Sequence, residues 1–576
     1  MKNQQIADLF SAMADLLEIL GESLFRVNSY RKAARVLEEL AEDIEAVAAA
    51  DRLTEIEGIG DSTAGKIRQY LAEGRIEQYD KLKAQVPPDL PGLLDVPGLG
   101  PKTVAKLWKQ ASVTSVAELR AALDKSPERL LAVEGLGPKK LDQIRQSLAF
   151  QAEAGGRIRL NTARELAERL LADVRRAPGA QRATFAGSLR RGKETIGDID
   201  LLCQADANRA AKIIQRFAAS EGVERVLAAG ATKGSVVLTG GVQADLRVVE
   251  PASYPAALMY FTGSKEHNIR LRELAVQKGW KLNEYGLFDG EKRFKAGEEA
   301  DLYARLGLAY VPPELREDRG EVEAARDAAL PELLEDGDLR GDLHMHTTAS
   351  DGHNSIDEMI DACRAKGYKY LAICDHSKSQ VQAHGLDEKR LAAHVEAIRK
   401  SARRHKDILV LTGVEVDIFK DGSLDFSDDV LAGLDFVTAS AHSALAMSGP
   451  EATKRLIRAA EHPCVHCIGH PTGRMINSRP GMEIDVAELA RAAAANGVAL
   501  EINAHPVRLD LRDVHVRAAV EAGAKLVINT DAHSTDQLDL MGYGVTTARR
   551  GWARKGDVLN TLTPAQLRKW LGTKRK

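Results

Sequence analysis

Two sets of residues have the types and spacing for metal chemistry, and they lie far apart in the chain. The first stands in Gly187-Ser188-Leu189-Arg190-Arg191-Gly192-Lys193-Glu194-Thr195-Ile196-Gly197-Asp198-Ile199-Asp200. Asp198 and Asp200 are two apart on an expected strand, so their carboxylates share one face. Two such groups repel unless a cation neutralises them, and hard oxygen donors suit Mg²⁺ or Mn²⁺. Asp245, in Gln243-Ala244-Asp245-Leu246-Arg247, could complete the set from a neighbouring strand. The second set is rich in histidine: 14 of the 15 histidines fall at or after His344. His344 and His346 share a strand face. They are followed by Asp351, His376, Glu415, His442, His470, Asp531 and His533, mostly at the ends of apolar runs. Mixed imidazole and carboxylate donors favour Zn²⁺, Mn²⁺ or Fe²⁺ over Mg²⁺.

A third feature is a repeat. Ile56-Glu57-Gly58-Ile59-Gly60, Val96-Pro97-Gly98-Leu99-Gly100-Pro101-Lys102 and Val133-Glu134-Gly135-Leu136-Gly137-Pro138-Lys139 share one pattern, with glycines 40 and 37 positions apart. Each follows one helical segment and opens another, which reads as a helix-hairpin-helix. The glycines allow a tight turn close to a phosphate, and the next helix offers free N–H groups. Lys102 and Lys139 can add charge. Such hairpins grip a DNA backbone without reading its bases.

These residues need three kinds of scaffold. Residues 1–150 read as helical, with periodic Leu/Ala/Glu segments. Residues 151–311 alternate helices with strand-like runs such as Asp200-Leu201-Leu202-Cys203 and Ser235-Val236-Val237-Leu238, a mixed α/β domain. From residue 343 apolar runs and helical segments alternate repeatedly, as in a β/α barrel with its site at one rim. Between them, residues 312–342 carry a net charge of −7 within a chain of −3 and begin Pro312-Pro313. That stretch reads as an acidic linker. Five irregularly spaced cysteines exclude a disulfide framework, and no apolar run is long enough to span a membrane. Cys464 and Cys467 read as structural, and His353, His394, His405 and His515 as surface residues. His505 stands outside the ligand set, and reads either as lining the substrate cleft with Arg508 or as a neutral variant. The closing Lys574-Arg575-Lys576 reads as a solvated tail.

The Gly187–Asp200 stretch resembles the family X DNA polymerases of the nucleotidyltransferase superfamily. The likeness runs back to Arg157 and forward through Tyr260-Phe261-Thr262-Gly263-Ser264-Lys265-Glu266-His267-Asn268 to Arg272. It implies that Asp198, Asp200 and Asp245 are the catalytic metal ligands. It places Arg157, Ser188, Arg191 and Gly197 on the triphosphate, and Tyr260, Phe261, Gly263, Lys265 and Asn268 around the nucleotide. Arg272 would lie near the template. Lys265 replaces an acidic residue of the best-known eukaryotic members. Asn28-Ser29-Tyr30-Arg31-Lys32-Ala33-Ala34 with the first hairpin is similar to their 8-kDa domain, and Lys66 matches its Schiff-base lysine, a lyase nucleophile.

The histidine-rich set resembles the PHP (polymerase and histidinol phosphatase) domain, which implies a trinuclear site. His344, His346, Glu415 and Asp531 would hold one ion. Glu415, His442 and His470 would hold the second, with Glu415 bridging, and Asp351, His376 and His533 the third. These would be Mn²⁺- or Zn²⁺-type ions.

The resemblances imply a multidomain chain. A lyase-like helix-hairpin-helix domain spans 1–85, and a second DNA-binding, fingers- or thumb-like helix-hairpin-helix region spans 86–150. An α/β nucleotidyltransferase palm with its dNTP-binding part spans 151–311, an acidic linker 312–338, and a distorted β/α PHP barrel 339–576. The expected function is gap filling in base excision repair with a 3′→5′ exonuclease, and with abasic-site endonuclease and lyase activities. The partners expected are gapped or primed DNA and dNTPs, the compartment the cytoplasm with nucleoid association, and the state a monomer without membrane contact. Two other readings are a PHP phosphoesterase whose polymerase half only positions DNA, and a DNA-binding repair scaffold with both sites idle.

Overall fold

The computed structural model describes residues 2–40, 44–56, 58–96, 99–138, 140–142, 144–145, 148 and 156–573. They form two compact units, Met1–Ala154 and Gly155–Lys576.

The first unit is helical, as its periodicity requires, with helices that include Lys2–Leu20, Leu24–Glu39, Asp61–Glu73 and Pro101–Ala111. The middle residue of each repeated turn explains the pattern. Ile59, Leu99 and Leu136 are all buried in the unit's core, so each hairpin is pinned by one apolar plug. Gly58 takes φ +104°, and a Cβ there would lie 2.9 Å from the Lys32 side chain, so only glycine fits. Gly60 and Gly100 cap the helices that follow, with Pro101 in the first helical turn. Gly135 is also left-handed, Gly137 starts the next turn, and Lys102 is exposed. Gly98, Lys139 and the tail 574–576 lie outside the described residues.

The second unit holds both metal sets. Its first layer is a five-stranded sheet ordered Arg182–Phe185, Asp198–Gln204, Gln243–Val249, Lys233–Leu238 and Val223–Ala229. The central pair is parallel and sets Asp200 opposite Asp245. Helix Ala207–Ala218 buries Ile213, Ile214 and Phe217 against the sheet. Helices Tyr254–Thr262, Lys265–Gln277 and Glu299–Leu306 then form a separate small core with Leu271, Leu287 and Tyr303.

The acidic stretch 312–338 is not a solvated linker. Leu315, Val322, Ala325 and Leu334 are buried, and most of its charges are paired. Arg316 is fully buried and donates to Glu299 at 2.6 Å, and Glu299 also takes a two-pronged bond from Arg190. Glu321 lies 2.6 Å from the buried His267. Glu314 and Glu335 both accept from Arg549 of the following domain. Sequence composition hid this because a paired buried charge counts the same as a solvated one.

The rest is a barrel of seven parallel strands in consecutive order, from Gly341–Met345 to Lys525–Asn529. A bridge from Met345 to Ala532 brings the two ends together. The strands are buried almost throughout because helices cover the outer face, as parallel sheets require. Ile476 and Leu509 of the barrel domain join the core of the five-stranded sheet.

Burial alone would raise the Glu299 carboxyl, but Arg316 and Arg190 outweigh it and hold it down at about 2, against an ordinary 4.5. Its stabilising effect is therefore complete above pH 4.5 and is lost as pH falls towards 2. Glu299→Gln strands a fully buried guanidinium and should cost about 3 kcal/mol in urea unfolding at pH 7. The gap from wild type should stay constant above pH 4.5 and narrow below it.

Candidate metal centres

Register builds the first centre. Asp198 and Asp200 share a face of one strand, and Asp245 faces Asp200 from the next. Burial, then the charges of Asp198 and Asp245, push Asp200 up to about 7. A site that cannot keep three carboxylates ionised unaided suits a divalent cation. Lys233 Nζ lies 3.1 Å from Asp245, and Gln243 donates to it at 3.0 Å. Gly187 presses on the cluster from below, where a Cβ would meet Asp200 Oδ2 at 2.2 Å.

The expected nucleotide contacts gather around this face in two groups. Arg157 donates to Thr195 Oγ1 at 3.0 Å and to its carbonyl, and its guanidinium leaves no room for a Cβ at Gly197. Arg191 is buried, bonded to Glu317 at 3.0 Å and to the Thr262 carbonyl at 2.5 Å, beside Gly263. Tyr260 and Phe261 pack edge to face, and Asn268 donates to the Tyr260 carbonyl at 2.7 Å. Ser188 is half-buried, whereas Lys265 and Arg272 are exposed on helix Lys265–Gln277. Lys66 belongs to the other unit, where its Nζ donates to Ser62 Oγ at 2.8 Å and lies over the Tyr30 ring.

The second centre is a cage around Glu415, which is buried at the end of strand Leu409–Asp417. His376 Nδ1, His470 Nε2 and His442 Nε2 approach its oxygens at 2.7, 2.9 and 3.4 Å. His344 Nε2 and His346 Nε2 lie 3.6 and 3.8 Å away. Asp531 is 3.0 Å from His346, and Asp351 is 3.5 Å from His533 and 3.6 Å from His376. All nine expected ligands therefore converge. Three donor groups are tight enough for one ion each: His344/His346/Asp531, His376/Glu415/His442, and His346/Asp351/His376/His533. These groups cut across the expected ion-by-ion division, since His346 and His376 each serve two. The Nε2 of His344, the Nδ1 atoms of His346 and His470, and Glu415 Oε2 are buried without a hydrogen bond, as atoms meant for a metal would be.

Outer partners that sequence reasoning missed fix the rings. Glu501 accepts from His344 Nδ1 at 2.8 Å, so Nε2 faces the cage, and it also binds the His470 N–H. Asp417 does the same for His442 at 2.6 Å. Asn503 donates to Asp531 at 3.0 Å. Their only signal was alternation: Glu501 and Asn503 are polar positions in a buried strand, and Asp417 is two residues beyond Glu415. Although burial opposes it, Glu415 and Asp417 push His442 up to about 9. A metal ion would displace that proton.

Some expectations change. His394, read as a surface residue, is buried with Nε2 2.8 Å from Asp375, which also receives bonds from Thr347 and Ser350. His353, His405 and His515 are half-buried. Cys464 is half-buried and Cys467 buried. His505 lies outside the cage, and Arg508 is 3.7 Å from Asp531. Among the described residues no helix is long and apolar enough to cross a membrane.

Comparison with known proteins finds relatives along nearly the whole chain. A DNA polymerase beta thumb model matches residues 257–317, beginning in the stretch read as palm and nucleotide-binding and ending in the acidic stretch. A helix-hairpin-helix domain matches 1–76, a SAM-like helix-hairpin-helix tandem 91–149, and a PHP domain 342–505. The "DNA polymerase/3'-5' exonuclease PolX" of Bacillus subtilis (strain 168) is 38 % identical over 566 residues, 97 % of each chain. A "Probable phosphatase" of Caldicellulosiruptor bescii is 34 % identical over 29 % of this chain and 65 % of its own. Another from Shewanella sp. (strain MR-4) is 30 % identical over 33 % and 75 %. With helix-hairpin-helix, polymerase thumb and PHP models matched along the chain and a full-length relative at this identity, the chain belongs to the PolX family of DNA polymerase/3′-5′ exonucleases.

Proposed function

We propose that this chain extends primer ends into short DNA gaps at the palm and trims 3′ ends at the barrel, in repair of the base-excision type. The observation that carries the polymerase is the register of Asp200 with Asp245 across a parallel pair, with Asp198 on the same face. These three carboxylates would hold Mg²⁺ or Mn²⁺, which when bound would supply Lewis-acid activation of a 3′-hydroxyl and charge stabilisation for the leaving pyrophosphate. Arg157 and Arg191, with Gly197 and Ser188, bind the triphosphate. Tyr260, Phe261, Gly263, Lys265 and Asn268 orient the nucleotide, and Arg272 lies along the template. The hairpin glycines 58, 60, 98, 100, 135 and 137, with Lys102 and Lys139, hold the DNA backbone without reading sequence.

The barrel cage takes the opposite reaction, hydrolysis of a phosphodiester. His344, His346, Asp351, His376, Glu415, His442, His470, Asp531 and His533 would hold up to three Mn²⁺- or Zn²⁺-type ions, which when bound would supply Lewis-acid activation of water and charge stabilisation for phosphodiester hydrolysis. Glu501 and Asp417 keep the imidazoles oriented. The protein acts as a monomer on gapped DNA in the cytoplasm. Abasic-site cleavage belongs to the barrel and sugar-phosphate release to Lys66.

Asp198→Ala with Asp200→Ala should abolish dNTP incorporation and leave 3′-end degradation intact. Substantial incorporation by that double variant sinks the palm assignment. His344→Ala with His346→Ala should lose Mn²⁺-stimulated degradation by more than the ~10–100-fold that losing an outer partner costs. Gap filling and melting should persist, and if all three fall together the histidines hold a structural metal instead. Lys66→Ala should eliminate borohydride trapping on abasic DNA, and unchanged trapping excludes Lys66 as the nucleophile.

A further inference from the structure

The turn after helix Gly187–Arg190 carries Arg191, and helix Met541–Arg550 of the barrel domain lies against it. Arg550, only 5 % exposed, donates from Nη1 to the Arg191 carbonyl at 2.6 Å and to Glu317 Oε1 at 3.0 Å. Its Nη2 donates to Asp513 at 2.7 Å. The same Glu317 oxygen accepts from Arg191 Nε at 3.0 Å. Arg191 is thus held twice by one system, through its main chain and through its guanidinium.

The next residue is gripped sterically. Gly192 has φ +65°, and a Cβ there would lie 2.2 Å from Thr546 Cγ2 on the same barrel helix. Thr546 is β-branched and its hydroxyl donates to the Gly542 carbonyl at 2.9 Å, so the methyl does not swing aside freely. The barrel domain also holds the flanks. Arg474 donates to Glu194 at 2.7 Å, and Asn477 to the Arg157 carbonyl at 2.7 Å.

We infer that Arg550, although it belongs to the barrel domain, is a positioning residue for the incoming deoxynucleotide, acting on Arg191. This rests on the reading of Arg191 as a triphosphate contact. Two physical effects follow from the shared Glu317. A charged donor on the Arg191 carbonyl fixes where the guanidinium stands, and small displacements of a phosphate-binding group are costly. Arg550 also takes part of the Glu317 charge. Without it that carboxylate is hydrogen-bonded to Arg191 with only Lys193 as a further nearby cation, and it competes with the triphosphate for the guanidinium. Losing either effect weakens nucleotide binding rather than the chemical step.

The test uses the full chain and single-nucleotide gap filling, with exonuclease assays on the same preparations. Arg550→Ala should raise KM for the dNTP about tenfold, with kcat and 3′-end degradation kept, and Arg550→Lys should fall between. Gly192→Ala should also raise KM, and adding Thr546→Ser, which removes the opposing methyl, should restore part of it. A change on the barrel helix that repairs nucleotide affinity is not something a merely structural contact provides. The inference is overturned if Arg191→Ala raises KM but Arg550→Ala does not. It is equally overturned if polymerase and exonuclease fall together and Thr546→Ser recovers nothing. If Arg550→Ala does not fold, the Gly192/Thr546 pair decides alone by the same criterion. If Arg191→Ala leaves KM unchanged, the assignment of Arg191 fails first, and this inference falls with it.

Discussion

Asp200 and Asp245 stand opposite each other across a parallel strand pair, with Asp198 on the same face, and the rest of the palm must resist their repulsion. Raising Asp200 from 3.8 to about 7 corresponds to roughly 4 kcal/mol of unfavourable interaction for its charged form. The alternating apolar residues supply the resistance. Ile199, Leu201, Ala244 and Leu246 are buried on the other face, and a slip by one residue would turn all of them out to solvent. Register is therefore fixed by the core, and the carboxylates are carried into conflict as its consequence. That conflict is what gives a divalent cation its affinity.

The barrel reaches the same end by another route. Glu415 is fully enclosed, and burial alone would neutralise it, yet His442, His376 and His344 hold it well below its usual range. Two of those imidazoles, His442 and His344, are in turn aimed by Asp417 and Glu501, one layer further out. A buried charge is tolerable only when each neighbour is also satisfied, so the layers must be complete. Among the described residues the cage atoms left without a hydrogen bond include His344 Nε2, His346 Nδ1, His376 Nδ1, His470 Nδ1 and Glu415 Oε2, all on residues expected to be ligands.

How much of this was legible in the sequence follows from the range of the interactions. Asp198 with Asp200, His344 with His346, and the Gly-x-Gly turns are local, and a two-residue or three-residue spacing is enough to read them. The barrel strands were legible because parallel strands are apolar throughout. Glu501 and Asp417 were not, because their role is set by rings more than a hundred residues away in one case and on another strand in the other. His394 was misplaced for the same reason, since nothing near it announces Asp375. The strap at 312–338 was misread because net charge cannot tell Glu321 beside His267 from a glutamate in water.

That strap also decides how the two centres are joined. Pairing Arg316 with Glu299 inside the protein gains little over an apolar core of the same shape, since desolvation offsets most of the attraction. What such pairs do provide is a single admissible arrangement: Arg316 must find Glu299, Glu317 must lie between Arg191 and Arg550, and Glu314 must meet Arg549. An apolar strap could slide by a residue with small penalty, whereas this one cannot without stranding several charges. The two chemistries need no shared atom, because their ligand sets are separate. A fixed frame joins them all the same: Ile476 and Leu509 enter the core of the five-stranded sheet, Arg474 meets Glu194, and the charges of the strap, buried where composition suggested solvent, add a register that cannot slide.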